Sequence, residues 1–573
     1  MKNFRFSRPI LIILGALVLA LIGVASLLGV KSLHRTSTGS AEDTRLAAQA
    51  FNHPALDWHK CDNEEDSEEG LDCAELIVPL DYNDFNAGIV TLPVTRHRAT
   101  DENARIGSLF TNPGGPANPA TSETASYATD LGQEVQEKFD VIGIAPRGIE
   151  GDEKAECTLE SDAIPHTDEA VFPLTDQEIQ QHFAKDQAIQ TACSNGPRIL
   201  AHMSTADVAR DMDQARKAVG DEKITYYGIS YGTYLGATYA ALFPQNMRAL
   251  VVDGVVDPVG WATGLSKEQS AIEPVDERLS SGVGAQETLN AAISECEKMG
   301  LEGCSASSTI REDWNQLSEL LQATSVRLPD GSLLRYDSLV SDVMGAMYSP
   351  TTIPKALEAI SDIAADLVDE QEIPEVTERP ENTTIRDLGT DRTVAAMENL
   401  TALSEGDDGE NPAEVNDLLQ TSDSAQTFDV GYPGVLCGES TNPTSDEAFV
   451  EADNRAIKTA PGFGQLWNWQ SSVCTHWPVS SVGAYKGPFD IPTSVPVLII
   501  GNEHDPATPY AGAVAYHEVL PTSRLVTVEG AFGHGALGIS TCVDDIRTDY
   551  LVRGEVPKQD RVCTPDQELF AQE

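Results

Sequence analysis

The sequence predicts an α/β fold, a mostly parallel, doubly wound sheet interrupted by a large, mainly helical insertion. Three observations predict it. Short apolar runs ended by Gly, Pro or Asp recur at Ile106–Thr111, Phe139–Ile144, Ile224–Tyr227, Ala249–Asp253, Val495–Ile500 and Arg524–Val528, the pattern of strands buried on both faces. Amphipathic helical segments alternate with them. In Ser204–Val219, for example, Val208, Met212, Ala215 and Val219 recur at helical spacing behind a Ser204/Asp207 capping signal. The alternation stops between about Gly260 and Thr475, where helical patterns take over, so a cap is inserted into the sheet domain.

At the N-terminus Lys2, Arg5 and Arg8 precede Pro9–Val30, an uncharged apolar run. Such a segment enters a membrane, either as a signal peptide cleaved near the small residues Gly23–Ser26 or as an uncleaved signal-anchor. With the basic residues on the cytoplasmic side, the rest of the chain is exported, either secreted or tethered to the outer face of the cytoplasmic membrane. The expected organisation is a signal or anchor over 1–35, a spacer over 36–55, sheet domain over 56–260, cap over 261–475 and sheet domain again over 476–573. Within the cap, Asp369–Ser424 is acidic and poor in aromatics, the composition of mobile surface.

The 573 residues, 41% hydrophobic, are enough for a large core. Lys and Arg number 38 against 90 Asp and Glu, a formal charge of −52. That charge excludes nucleic acid and anionic lipid headgroups as partners by simple repulsion. Ten cysteines in an exported chain point to disulfides. No CxxC or Cys/His metal spacing appears, so neither a metal nor another cofactor is expected. Short loops favour Cys61/Cys73, Cys157/Cys193, Cys296/Cys304, Cys437/Cys474 and Cys542/Cys563, although spacing alone leaves other connectivities open.

The chemistry is concentrated around Gly228-Ile229-Ser230-Tyr231-Gly232, which lies between the β-run ITYY and the helical run TYLGATYAALF. A sharp strand-to-helix turn needs small residues two before and two after its apex, and it presents a serine as a nucleophile. A serine hydroxyl needs a base and an acid to orient that base, in the chain order Ser, Asp/Glu, His. Asp505, after VPVLII, and His534, after RLVTV and flanked by glycines, occupy successive strand-end loops. Asp253 and Asp257, after an earlier strand, are rival acids. An oxyanion needs two fixed N–H donors. Tyr231 follows the nucleophile and supplies one, and the loop Asn112-Pro113-Gly114-Gly115-Pro116 supplies the other, from Gly115 or, in reserve, Gly114.

These motifs occur in order over essentially the whole chain after Leu56: WHKC and CAELIVPLDY (Trp58–Tyr82), NPGGP, FDVIGIAPRG, HMSTADVARDMDQAR, YYGISYGTYLG, VVDGVVDP, VLCGES, VPVLIIGNEHDPATP and the final GHG. Together they resemble the secreted tripeptidyl-aminopeptidase branch of the α/β-hydrolases, related to the prolyl aminopeptidases. The chain departs from that pattern at Ala117 and Asn118, where further glycines are usual, and at Ala145, where Asp is usual. The resemblance implies the α/β-hydrolase fold and a serine exopeptidase. Such an enzyme releases short peptides from a free N-terminus through an acyl-enzyme on Ser230, with His534 as base and then acid. An exopeptidase must also hold the substrate α-ammonium, and Glu439, in VLCGES, matches a place where the family has an acidic residue. Two alternatives carry the same scaffold: an esterase or lipase of the cell envelope, and a non-catalytic envelope-binding protein.

Overall fold

The structure, a computed structural model, describes residues 55–62, 69–151, 153–160, 170–368, 383–405, 419–422 and 425–571. The apolar N-terminal run and most of the acidic stretch of the cap lie outside them. β1 (His59–Lys60), β2 (Asp72–Pro79) and β3 (Ile89–His97) come first, followed by β4 (Gly107–Asn112) and β5 (Phe139–Ile144). β6 (Glu156–Glu160) leaves the main sheet; β7 (Ile224–Ile229) and β8 (Met247–Asp253) return to it. The following stretch contains β9 (Thr324–Arg327), β10 (Leu333–Leu334), β11 (Thr384–Arg386), β12 (Leu419–Ser422) and β13 (Ala425–Asp429). β14 (Val497–His504), β15 (Ser523–Phe532) and β16 (Arg561–Cys563) complete the sheet.

The main sheet runs β1-β2-β3-β5-β4-β7-β8-β14-β15-β16. From β5 to β16 every neighbouring pair is parallel, and all six strands expected from the sequence are there. β5 is buried at every position because helices cover both faces. Consecutive side chains divide between the two faces. Tyr226 packs in the core that holds the helices Thr205–Ala218 and Tyr231–Leu242, and Tyr227 packs in the opposite core with Tyr127 and Val543.

The antiparallel ribbon β1-β2-β3 is an addition to the expected architecture. β2 alternates buried and more open residues, as a half-exposed strand should. Pro93 interrupts the strand signature of β3, yet its carbonyl still accepts the Ala145 N–H at 3.0 Å.

Between β8 and β14 the chain is mainly helical, with its own apolar core around Leu317, Val340 and Ile360. A second excursion joins it. β6 pairs antiparallel with β13, and the helix Asp176–Cys193 packs on the turn Ser472–His476, where Ser472 Oγ donates to Asp186 at 2.6 Å. Residues between β5 and Thr205 therefore contribute to the same body as the insertion.

Ten cysteines form five disulfides in the pairing that short loops favour, Cys61–Cys73, Cys157–Cys193, Cys296–Cys304, Cys437–Cys474 and Cys542–Cys563. This is the usage of a chain that matures outside the reducing cytoplasm. Cys437–Cys474 closes 37 residues and ties the helix Gly431–Glu439 to the turn Ser472–His476. Replacing both cysteines by Ser is expected to cost about 4 kcal/mol from the entropy of the opened loop. Denaturant unfolding of the double variant checks this, and non-reduced peptide mapping checks the five pairs.

Candidate active site

Ser230 sits at the junction of β7 and the helix Tyr231–Leu242 with φ 55° and ψ −131°. It is one of two non-glycine residues with positive φ among the described residues. The backbone crowds this turn. A Cβ on Gly228 would lie 2.5 Å from Gly232 O, and one on Gly232 would lie 2.4 Å from Asn112 O. Only glycine fits at either place, which is the physical content of the GxSxG spacing. Ser230 is also the N-cap of its helix, where a serine usually turns its hydroxyl onto the helix amides, but here the side chain makes no capping bond. The hydroxyl is left available for chemistry.

Asp505 and His534 meet in the loops after β14 and β15. His534 Nδ1 lies 2.9 Å from Asp505 Oδ1 and 3.1 Å from Oδ2. The carboxylate also accepts the amides of Ala507 and Thr508 at 3.0 and 2.9 Å, the Thr508 hydroxyl at 3.0 Å and the Gly535 N–H at 3.2 Å. Thus Asp505 is fixed before it orients the imidazole. Two further contacts hold the histidine loop. The His534 N–H donates to Tyr348 O at 2.8 Å, and Asn502 Nδ2 donates to the carbonyls of Gly533, at 3.0 Å, and Gly535. The loop lies against the elbow, for a Cβ on Gly535 would come 2.4 Å from Ile229 Cδ1.

The rival acids have other partners. Asp253 accepts the Tyr227 hydroxyl at 2.9 Å and the Ala536 N–H at 3.0 Å, and Asp257 caps the short helix Pro258–Ala262 through the Val259 N–H. The two glycines of the oxyanion loop have different neighbours. A Cβ on Gly114 would lie 2.7 Å from Ser230 Cβ and 3.0 Å from Tyr231 N, whereas one on Gly115 would meet Ala117 N and Asn118 N. Gly114, the reserve, is therefore the glycine that touches the elbow, and Gly115 turns the chain into the Ala117-Asn118 segment.

Glu439 ends the helix Gly431–Glu439 and is 1% exposed. Its carboxylate accepts the Thr205 N–H at 2.8 Å, the Thr205 hydroxyl at 2.6 Å and the Trp261 indole N–H at 3.0 Å. Thr205 opens the helix Thr205–Ala218, so Glu439 also faces the positive end of that helix. Burial nevertheless pushes the Glu439 carboxyl up to about 7. The Tyr231 hydroxyl is hydrogen-bonded to Thr205 Oγ1, linking Glu439 to the residue that follows the nucleophile. Sequence reasoning did not single out Thr205, Trp261 or Asn502; the one signal for Asn502 was a polar residue inside a buried strand.

A sheet-edge serine on a glycine elbow, with an Asp–His pair on neighbouring loops, defines an α/β-hydrolase of the serine type. Residues 109–298 match the α/β-hydrolase fold family, and residues 460–563 match the family described as TAP-like protein. The chain is a TAP-like α/β-hydrolase. It is 27% identical to tripeptidyl aminopeptidase of Streptomyces coelicolor over 93% of this chain and 90% of that protein. It is 25% identical to serine protease Hip1 of Mycobacterium tuberculosis over 98% and 99% of the two chains. A third relative, carboxylesterase B of Mycobacterium tuberculosis, is 27% identical over 86% of each.

Ser230→Ala is expected to remove turnover of a p-nitrophenyl ester while leaving the melting temperature unchanged, since it deletes one hydroxyl without opening a cavity. Asp505→Asn is expected to lower kcat roughly 10⁴-fold by releasing the histidine orientation. Steady-state kinetics on both variants check these values, and retention of activity by Ser230→Ala would remove the serine from the site.

Proposed function

We propose that the protein is an exported serine exopeptidase that releases short peptides, tripeptides by likeness to the Streptomyces relative, from free N-termini. Ser230 Oγ attacks the scissile carbonyl while His534 takes its proton, and Asp505 holds the resulting imidazolium. The Tyr231 N–H and an amide of the Gly114-Gly115 loop receive the oxyanion. The imidazolium then protonates the leaving amine. Water, deprotonated by the same histidine, releases the bound peptide from Ser230. The apolar N-terminal run directs export and either leaves with the signal or tethers the enzyme to the membrane.

The observation that supports an amine-recognising enzyme is Glu439. A carboxylate shut away from water, with three donors on two oxygens, keeps an accepting position for an ammonium. Carboxylesterase B among the relatives favours a second reading, an ester hydrolase with the same triad. The two readings separate on the free amine, because acetylating it removes a charge-assisted bond worth roughly 2–5 kcal/mol, about 30-fold to several thousand-fold in kcat/KM.

The pH dependence of that preference follows from Glu439. Its carboxyl, pushed up to about 7, is neutral below that pH and charged above it. A peptide α-amine loses its proton above about 8. The ratio of kcat/KM for a free peptide to that of its acetylated twin is therefore expected to rise through about pH 7 and fall above about pH 8. Glu439→Gln is expected to lower and flatten the ratio. Equal rates for the two peptides, with faster turnover of an acyl ester, would establish the ester hydrolase instead.

A further inference from the structure

We infer that Asp253, at the C-terminal end of β8, is a positioning residue that locks the nucleophile elbow to the histidine loop. The inference rests on the roles assigned to Ser230 and His534. Three contacts converge on this one residue. Its main-chain carbonyl accepts the Ser230 N–H at 3.2 Å, holding the residue with the left-handed backbone. One carboxylate oxygen accepts the Ala536 N–H at 3.0 Å, two residues beyond His534. The other accepts the Tyr227 hydroxyl at 2.9 Å, from the strand that leads into the elbow. Asp253 is thus bonded to both sides of the Ser–His junction while touching neither reacting group.

The next residue extends the contact. A Cβ on Gly254 would lie 3.1 Å from Thr508 Oγ1, 3.2 Å from Asp505 Oδ2 and 3.3 Å from His534 Cε1, so the β8 end abuts the Asp–His pair directly. The side chain is fully buried, and burial pushes its carboxyl up to about 6. The Arg547 guanidinium favours the ionised form and lies 5.8 Å from the Tyr227 ring centre, backing the same network. A buried acid not needed for proton transfer is an expensive way to fill space. Here its two oxygens fix the strand that leads into the elbow relative to the histidine loop, a task for which an error of about 1 Å can cost about 100-fold in rate.

The test measures kcat per active site. An organophosphate that labels the nucleophile counts competent sites, and hydrolysis of p-nitrophenyl acetate gives turnover for each. Asp253→Ala, which loses both side-chain bonds, is expected to lower kcat per labelled site about 100-fold with KM little changed. Asp253→Asn still accepts the Ala536 N–H but sets an amide against Tyr227, and should lower it about tenfold. If Asp253→Ala does not fold, Tyr227→Phe serves in its place: it removes one donor from Asp253 and is expected to reduce kcat per site by about tenfold. A residue that only supports the fold would reduce the number of labelled sites and leave each at the wild-type rate. That result in the folded variants overturns the inference. Labelling of Ser230→Ala at the wild-type rate would instead overturn the assignment of the nucleophile, so the two failures are distinct.

Discussion

The constraint on which the structure depends is the close approach of backbone at the C-terminal edge of the parallel sheet. Ser230 holds a left-handed conformation that costs on the order of 1–3 kcal/mol for a residue with a side chain. The strain persists because its surroundings leave no alternative. Gly228 and Gly232 let the strand and helix nearly touch, the Ser230 N–H is taken by Asp253 O, and its carbonyl is taken by Thr233 N at 2.9 Å. β4, β7 and β8 are adjacent parallel strands. Their ends therefore converge on one line, and the loop of Gly114, the elbow and Asp253 are neighbours by topology.

A second, buried framework fixes the helix that supports Glu439. Arg147, fully buried, makes two bonds to Asp211 at 2.8 and 2.7 Å and donates to the carbonyls of Leu80 at 2.9 Å and Pro79 at 3.1 Å. Tyr82 donates to the same aspartate at 2.7 Å. The loop after β5, the end of β2 and the helix Thr205–Ala218 are thereby joined around one bidentate pair. Such a pair is costly to break from one side, because the remaining charge would be stranded without water.

Much of this was legible in the sequence for identifiable reasons. The parallel strands are continuous apolar runs, and the elbow and the His534 loop carry glycines that a steric argument can read. The antiparallel ribbon was missed because Pro93 masks β3 and because β2 shows alternation, not a continuous apolar run. The excursion through β6 was missed because its partner, β13, lies far along the chain, and nothing local marks the pairing of Cys157 with Phe428. Which of Gly114 and Gly115 lies against the elbow was unreadable for a related reason. Two adjacent glycines look alike in sequence, and only the path of the loop decides which one faces Ser230. The readable part of the site was local backbone geometry; the part that was not readable consists of contacts across long sequence separations.

On the proposed function, Glu439 is a case in which such contacts matter. It comes from the helical insertion, whereas Ser230 comes from the sheet, and two bodies linked only by chain connections would hold an amine and a scissile bond at a loose distance. Here the carboxylate is bonded to Thr205 of the sheet domain, Thr205 is bonded to the Tyr231 hydroxyl, and Tyr231 is covalently next to Ser230. One tyrosine ring and one threonine thus link the proposed ammonium site to the residue beside the nucleophile. Trp261 packs its ring 5.3 Å from that of Tyr231 and donates to the same carboxylate, bracing the arrangement from the start of the insertion. On the proposed function, this places the measure of the enzyme in Tyr231. Its amide serves the oxyanion and its hydroxyl sets the distance to the amine, so one residue couples where a substrate begins to where it is cut.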